Sequence, residues 1–119
     1  MKEVSLEYKE STLAIDFDGV VHRYSRGFQG LQNAYDIPTP GTEESLIELQ
    51  RRGFRLIIVS SRPTDVIEEW LIKYNLRHYF DEVTNIKQPA KYYIDDHAVY
   101  FDKEKDSPWE EVLKIVKGE

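Results

Sequence analysis

Three short apolar runs, each followed directly by polar side chains, limit the fold of this chain more than any other feature. They occupy residues 13–15 (Leu-Ala-Ile), 56–59 (Leu-Ile-Ile-Val) and 92–94 (Tyr-Tyr-Ile). Uninterrupted apolar runs of this length are typical of strands that are buried on both faces. Because predicted helices alternate with them, the pattern indicates an α/β fold with a mainly parallel sheet and helices on both faces. Residues 82–84 and 98–101 are predicted to add shorter strands.

The predicted helices lie between and after these strands. Thr39-Pro40 is typical of a helix start, and Gly53 is placed to end that helix. Pro63 opens a second helix, and the sequence Ser-Pro-Trp-Glu at residues 107–110 matches a capping box that begins a last one. Apolar residues recur on one face of each helix, and they are interpreted as core residues.

The first apolar run ends in an acid pair, Asp16 and Asp18, which Gly19 follows. Glycine permits a sharp turn, so we expect the chain to leave the sheet after Asp16 and to curl both acids around one point. Open α/β sheets bind their ligands at such strand ends. Two adjacent carboxylates repel each other by roughly 1 to 4 kcal/mol, a cost that a bound divalent cation would offset. The alternative interpretation is a strand followed by an ordinary Asp-Gly turn.

Polar residues in a fixed order extend this pattern along the chain. A serine pair follows the second run, a lysine precedes the third, and a second acid pair ends it; these residues are Ser60, Ser61, Lys87, Asp95 and Asp96. In this order the chain resembles the haloacid dehalogenase superfamily of phosphatases and phosphotransferases, over roughly residues 13–116. It is similar in particular to short members from bacteria and phages, in the stretches 16–22, 60–62 and 87–96.

The resemblance implies a three-layer Rossmann-like fold that forms a single hydrolase domain over residues 1–119. In this superfamily a cap domain can be inserted after the first strand. The corresponding segment here, about residues 20–39, is too short for a domain and is predicted to be a flap. The active site is therefore expected to be open.

The resemblance also implies catalytic roles for four side chains. Asp16 would be the nucleophile that forms an aspartyl-phosphate, and Asp18 would protonate the leaving oxygen and then activate water. Ser60 would donate a hydrogen bond to a phosphate oxygen. Lys87 would stabilise the charge that moves during the reaction.

Two of these assignments have rivals in the sequence. Ser61 competes with Ser60, which is preferred because it directly follows the strand. Lys91 competes with Lys87, which is preferred because Lys91 is expected to begin the third strand itself.

A metal ion is implied by the same resemblance. Asp95 would ligate it together with Asp16 and the backbone carbonyl of Asp18, and Asp96 would lie close behind. An all-oxygen site with few carboxylates predicts Mg²⁺. The alternative for Asp95 and Asp96 is a turn or a helix N-cap.

The flap carries side chains that could bind the distal part of a substrate. Arg23 and Arg26 could grip an anion, and the aromatic residues Tyr24, Phe28 and Tyr35 could stack on a base or sugar. The alternative is a solvated loop whose aromatic rings pack on the core. His22 is expected to make a loop contact, and Arg62 to reach substrate or to cap a helix. The substrate-binding candidates are Gly19, Ser61, Arg62, Arg23 and Arg26.

Composition excludes several function classes. The chain has no cysteine, so neither a disulfide framework nor a thiolate zinc site can form. A net charge of -6 without a basic cluster disfavours extended nucleic-acid binding. Residues 1–5 lack the core of a signal peptide and no apolar run could span a bilayer, so a soluble cytoplasmic protein without membrane partners is expected.

These observations together predict a Mg²⁺-dependent phosphatase that hydrolyses a phosphomonoester. The substrate would be a phosphorylated small molecule or the phosphorylated end of a larger one, and a second subunit could cover the open pocket. The alternative is a non-catalytic phosphate-binding module, either an inactive member of the fold or a receiver-like regulator. A receiver carries its lysine on the last strand and has no acid pair there, so the order of residues counts against it.

Overall fold

A parallel sheet forms the centre of the computed structural model, which describes residues 12–86, 90–95, 99–100 and 108–116. All neighbouring strands are parallel, and their spatial order is β3-β2-β1-β4-β5. The strands are β1 (Thr12–Ile15), β2 (Arg55–Val59), β3 (Glu82–Thr84), β4 (Tyr92–Asp95) and β5 (Val99–Tyr100). This topology confirms the predicted α/β fold, including the two short strands.

Strand β1 lies at the middle of the sheet. All four of its residues are buried, and alternate side chains of a strand point to opposite faces, so both faces of the sheet are covered at this point. Its last residue, Ile15, lies opposite Ile58 of β2 and Ile94 of β4. The central strands therefore end level with one another, which brings their following polar residues to one edge.

Three α-helices complete the described chain: α1 (Thr42–Arg51), α2 (Thr64–Lys73) and α3 (Pro108–Ile115). The faces of α2 and α3 that pack inward are formed by the predicted apolar residues, among them Trp70 and Trp109. The indole N–H of Trp109 donates to Oγ1 of Thr42, which ties α3 to α1. No described helix has the length and apolar character needed to cross a membrane.

The predicted start of α1 is wrong by two residues. Thr39 does not cap the helix, because its hydroxyl donates to the carbonyl of Val20 and its own carbonyl accepts from Thr42. Gly41 takes the N-cap position instead, with a φ of 85° that favours glycine. The end is as predicted: Gly53 follows α1 with a φ of 98°. Ser107 of the predicted capping box lies outside the described residues.

Candidate active site

A cavity of about 290 Å³ lies at the carboxyl edge of the sheet, where β1, β2 and β4 end. Its polar walls come from the residues that directly follow β1, β2 and β3, and from the last residue of β4: Asp16, Ser60, Ser61, Asn85 and Asp95. Four of these five are residues that the sequence analysis selected. The parallel sheet brings them together because its strands end level at this edge.

Asp16 and Asp95 approach the cavity from adjacent strands. The backbone N–H of Asp16 donates to the carbonyl of Ile94 at 3.0 Å, which continues the ladder one residue beyond β1. The Oδ1 atom of Asp16 accepts the backbone N–H of Phe17 at 2.8 Å. This local hydrogen bond and the strand register fix Asp16 at the edge of the sheet, where it lines the cavity.

The turn after β2 presents the serine pair. The backbone N–H of Ser60 donates to the carbonyl of Thr84, and its Oγ accepts the N–H of Arg62 at 3.2 Å. Ser60 is buried and Ser61 is exposed, and both line the cavity. The placement of the two serines does not separate the preferred candidate from its rival.

Asn85 is a cavity residue that the sequence analysis missed. Its side-chain Nδ2 donates to the carbonyls of Ser60 and Arg62, at 2.8 and 2.7 Å. It therefore fixes the turn after β2 from the end of β3. The signal that could have found it is its position, since Asn85 is the polar residue that directly follows the strand at 82–84.

Asp18 lies outside the lining of this cavity and contacts two buried side chains. Both of its carboxylate oxygens accept from Nε of Arg62 at 2.9 Å, and its Oδ1 lies 2.8 Å from Nδ1 of His22, within hydrogen-bond distance. Phe17 between the acids is fully buried, and Gly19 turns the chain with a φ of 81°. The two acids were expected to curl around one point; the structure instead turns Asp18 toward Arg62 and His22.

Arg62 is deeply buried rather than presented to the cavity. Besides Asp18, its guanidinium contacts the flap, because Nη1 donates to the carbonyls of Gly30 and Leu31 at 2.8 Å. The N-cap residue of α2 is Pro63, and among the described residues no side chain caps that helix end. This burial counts against Arg62 as a direct substrate contact, and its contacts are not those of a helix cap.

His22 makes the loop contacts that were expected of it. Its ring stacks on Phe17 with centroids 5.1 Å apart, and Trp70 and Tyr35 meet it edge-on. Its Nε2 accepts the backbone N–H of Asp36 at 3.0 Å. Because the His22 ring is enclosed in this way, it holds the surrounding flap residues in place.

The flap is a folded loop without helix or named strand. Its two ends run together, with Arg23 N–H donating to the carbonyl of Ile37. The hydroxyl of Tyr35 accepts the N–H of Arg26, and the guanidinium of Arg26 lies 4.5 Å from the centre of the Tyr35 ring. Arg23 and Arg26 are exposed and do not line the cavity, so their contact with substrate stays a prediction.

The aromatic side chains of the flap divide between core and solvent. Tyr24 and Tyr35 pack against the His22 ring, as the alternative interpretation of the loop expected. Burial and the negative charge of Asp18 raise the pKa of the Tyr24 hydroxyl. Phe28 is 63% exposed, so it is the aromatic residue that could stack on a ligand.

Asp36 fixes the base of the flap. Burial alone would raise the pKa of its carboxyl, but hydrogen bonds from the side chain and backbone of Ser25 and from the backbone of Ile37 outweigh burial and lower that pKa to about 2. Asp36 is therefore ionised at neutral pH and holds the two arms of the loop together.

The amino-acid sequence matches a known protein family over nearly its whole length. The sequence model described as haloacid dehalogenase-like hydrolase matches residues 1–118. The chain belongs to the haloacid dehalogenase-like hydrolases. This confirms the resemblance drawn from the order of acids, serine and lysine, and it makes the chain a member of a hydrolase family.

Individual relatives cover parts of this hydrolase. It is 42% identical over 48 residues to the glyceraldehyde 3-phosphate phosphatase of Methanothermobacter thermautotrophicus, a match to 39% of this chain and 20% of the relative. The chain thus spans about a fifth of that relative's length. A crystal structure of an uncharacterized protein from Listeria monocytogenes serotype 4b aligns with 66% of this chain and 50% of its own, with 18% identity and a TM-score of 0.48.

Two residues are candidates for the catalytic lysine, and of the two only Lys91 lies among the described residues. Lys91 lies directly before β4, and its amino group lies 6.0 Å from the ring centre of Phe54, which precedes β2. Both residues are at the amino edge of the sheet, opposite the cavity. The preferred Lys87 lies outside the described residues, as does Asp96, so their roles stay predictions.

The donor atoms around the cavity are compatible with the Mg²⁺ ion that the family implies. Within the described part of the chain, no three His, Asp or Glu side chains form a metal-binding group. Two acidic residues, Asp16 and Asp95, line the cavity together with Ser60, Ser61 and Asn85, whose side chains also carry oxygen atoms. Mg²⁺ is commonly held by one or two carboxylates together with waters and substrate phosphate, so this all-oxygen set fits that ion.

Proposed function

We propose that this hydrolase is a Mg²⁺-dependent phosphatase that cleaves a phosphomonoester through an aspartyl-phosphate on Asp16. One observation carries the proposal: Asp16, Ser60 and Asp95 line a single cavity at the carboxyl edge of the sheet. The family supports it, since the chain is a haloacid dehalogenase-like hydrolase. The phosphatase of Methanothermobacter thermautotrophicus, which shares 42% identity over 48 residues, supports the choice of phosphate esters.

In the first step, a carboxylate oxygen of Asp16 attacks the phosphorus atom. A bond forms between that oxygen and phosphorus while the bond from phosphorus to the leaving oxygen breaks. Asp18, in its acid form, gives its proton to the leaving oxygen, and the alcohol departs.

In the second step, water attacks the phosphorus of the aspartyl-phosphate. Asp18, now a carboxylate, takes a proton from this water as its oxygen bonds to phosphorus, and the bond to Asp16 breaks. Inorganic phosphate leaves, and both acids return to their starting forms. The cycle consumes one water for each ester.

Other groups at the edge would hold the phosphate. The hydroxyl of Ser60, or of its exposed neighbour Ser61, can donate to a phosphate oxygen, and Gly19 lets the backbone turn close to it. Lys87 would add a positive charge near the nucleophile. Asn85 would keep the serine turn in position through its hydrogen bonds to the carbonyls of Ser60 and Arg62.

Asp16, Asp95 and the backbone carbonyl of Asp18 would hold Mg²⁺, with Asp96 close behind. When bound, the ion neutralises part of the negative charge that the carboxylates and the phosphate bring together. Both proton transfers remain with the carboxyl group of Asp18.

The size of the cavity and its position at the carboxyl edge of the sheet support two classes of substrate. A phosphorylated small molecule fits a cavity of about 290 Å³, and the phosphorylated end of a larger molecule could extend past the flap. An acidic chain disfavours a long nucleic-acid contact.

The test is repeated phosphate release from an aryl phosphate in the presence of Mg²⁺, with Asp16→Asn as the matched control. The expected result is many turnovers per chain for the wild type and none for the variant. A single equivalent of phosphate per chain would support the receiver-like alternative, and equal activity of the two proteins would place the nucleophile elsewhere.

A further inference from the structure

We propose that His22 and Arg62 are positioning residues that orient the Asp18 carboxylate, and that His22 does so as a neutral imidazole with its proton on Nδ1. The inference deepens the proposed function, since it rests on Asp18 acting as the acid and base of that reaction. Neither residue would touch the substrate. Their task would be to hold Asp18 in one orientation and to tie that orientation to the flap.

The proton on the His22 ring is fixed by its two partners. The backbone N–H of Asp36 can only donate, so Nε2 at 3.0 Å from it must carry a lone pair. A neutral imidazole has one proton, which is therefore on Nδ1. Nδ1 lies 2.8 Å from Oδ1 of Asp18 and donates to it.

The surroundings of the ring prevent it from leaving this position. His22 is fully buried, stacked on Phe17 with an interplanar angle of 15°, and Trp70 meets its edge. Adding a second proton at Nε2 would break the hydrogen bond from Asp36 N–H. His22 is therefore a fixed donor to Asp18.

Arg62 supplies the second fixed donor. Its side chain is 1% exposed, and its Nε lies 2.9 Å from both oxygens of Asp18. The ring of Tyr24 covers the guanidinium, with its centre 6.0 Å from Cζ. Among the described residues, Nη2 of this buried group has no hydrogen-bond partner.

That unpaired donor has a free-energy cost that the other contacts of Arg62 must offset. A buried polar group without a partner costs about 1 to 3 kcal/mol, and the same guanidinium donates to Asp18 and to the carbonyls of Gly30 and Leu31. What an apolar side chain could not do is donate to Asp18. The burial of Arg62 is explained if its function is to orient that carboxylate.

The Asp18 side chain is more exposed than its two partners. His22 and Arg62 are 0% and 1% exposed, whereas the Asp18 side chain is 25% exposed. Two buried partners therefore hold a carboxyl group that solvent still reaches. A proton-transfer group held in this manner loses little rotational freedom when substrate binds.

The same two side chains also bind the flap. Arg62 donates to the carbonyls of Gly30 and Leu31, and His22 accepts the N–H of Asp36. Loss of either side chain is thus expected to loosen the flap and Asp18 together.

A matched pair of variants separates these contacts. In His22→Asn the shorter amide places its N–H₂ near the position of Nδ1, so the bond to Asp18 can persist. In His22→Gln the longer amide reaches the position of Nε2, so the bond from Asp36 can persist while the bond to Asp18 is lost. A merely structural role would not distinguish the variants in this order.

The activity assay uses two substrates, an aryl phosphate whose leaving group needs no proton and an alkyl phosphate whose leaving group does. For His22→Gln, kcat/KM on the alkyl phosphate should fall about 10- to 100-fold, a part of the contribution of a general acid. The kcat/KM on the aryl phosphate should stay within about twofold, because it reports only the attack by Asp16. His22→Asn should retain most activity on both substrates. Equal losses on both substrates, or full activity of His22→Gln on the alkyl phosphate, would overturn the proposal.

A spectroscopic measurement keeps this test separate from the proposed function. Long-range ¹H–¹⁵N NMR of the imidazoles distinguishes the two neutral tautomers, and the spectrum of His22→Gln assigns the His22 signals among the three histidines. The expected result is a neutral ring with the proton on Nδ1, whose signals shift in Asp18→Asn. A proton on Nε2, or signals insensitive to Asp18→Asn, would refute the geometry. If the wild type released no phosphate, the proposed function would fail while this spectrum would still decide the geometry.

Discussion

Asp16 and Asp95 follow directly from the residue pair Ile15 and Ile94, which lie opposite each other in the parallel ladder of β1 and β4. Both acidic residues line one cavity at the carboxyl edge of the sheet. The register of the two central strands therefore places two acidic residues side by side at this edge. A cation bound there would offset the repulsion between their charges.

The first prediction concerns Asp16→Asn. The amide oxygen can still accept the N–H of Phe17, so the fold should be retained, while the nucleophile is lost. Turnover of an aryl phosphate should fall by about three orders of magnitude or more. Phosphate release measures the loss of turnover, and circular dichroism on the same preparation measures the retention of the fold. An active and folded variant would contradict the assignment of Asp16.

The second prediction concerns the metal. Phosphate release should stop in EDTA and return with Mg²⁺. In Asp95→Asn, the Mg²⁺ concentration for half-maximal activity should rise about 10- to 100-fold, with part of the activity recovered at high Mg²⁺. Asp65→Asn, an exposed carboxylate in the first turn of α2, is the matched control and should behave as the wild type. Undiminished activity in EDTA would exclude the proposed metal site.

The third prediction concerns acid stability through Asp36. Its pKa is about 2 in the fold against an ordinary 3.8, so the ionised carboxylate stabilises the protein above about pH 4. This contribution is lost as pH falls from about 4 toward 2. The difference in unfolding free energy between the wild type and Asp36→Asn should therefore be constant from pH 7 to 5 and shrink below pH 4. Denaturant titrations at each pH measure it, and a constant difference down to pH 2 would refute the role of the carboxylate.

The fourth prediction concerns Arg23 and Arg26. If they bind the distal part of the substrate, changing both to alanine should raise KM for that substrate about tenfold or more. Hydrolysis of a minimal aryl phosphate should stay nearly unchanged, because that compound has no distal part. Screening phosphorylated metabolites for phosphate release supplies the substrate for this comparison. Equal losses on both compounds would mean that the arginines support the flap instead.

The fifth prediction concerns Arg62→Ala. Removing the guanidinium leaves the carbonyls of Gly30 and Leu31 without their donor, so amide hydrogen exchange should accelerate across residues 27–37. Arg51→Ala is the control, because Arg51 is exposed and pairs only locally with Glu48 in the described contacts. Unchanged exchange in the flap of Arg62→Ala would show that other contacts hold it.

The sequence predicted the strands and the placement of Asp16, Ser60 and Asp95 because each depends on local signals. A buried strand is visible as an apolar run, and parallel strands bring their ends to one edge without further information. The orientation of Asp18 depends on a different kind of contact. Arg62 lies 44 residues away in the chain, and nothing in its neighbourhood in the sequence marks it as buried. Asn85 was missed for a related reason. It donates to the backbone carbonyls of Ser60 and Arg62, and no sequence pattern indicates which carbonyls a side chain will reach.

Main-chain atoms of the flap connect it to the buried side chains beneath it. Arg62 binds the carbonyls of Gly30 and Leu31, His22 accepts the N–H of Asp36, and Trp70 donates to the carbonyl of Asp36. Every residue except proline has these atoms, so exposed side chains between the anchor points can be exchanged without detaching the loop. Insertions and deletions would detach the loop, because they would shift the anchor atoms. Substrate preference in such a hydrolase can therefore drift by substitution at constant loop length, and libraries that randomise exposed flap positions should yield folded proteins.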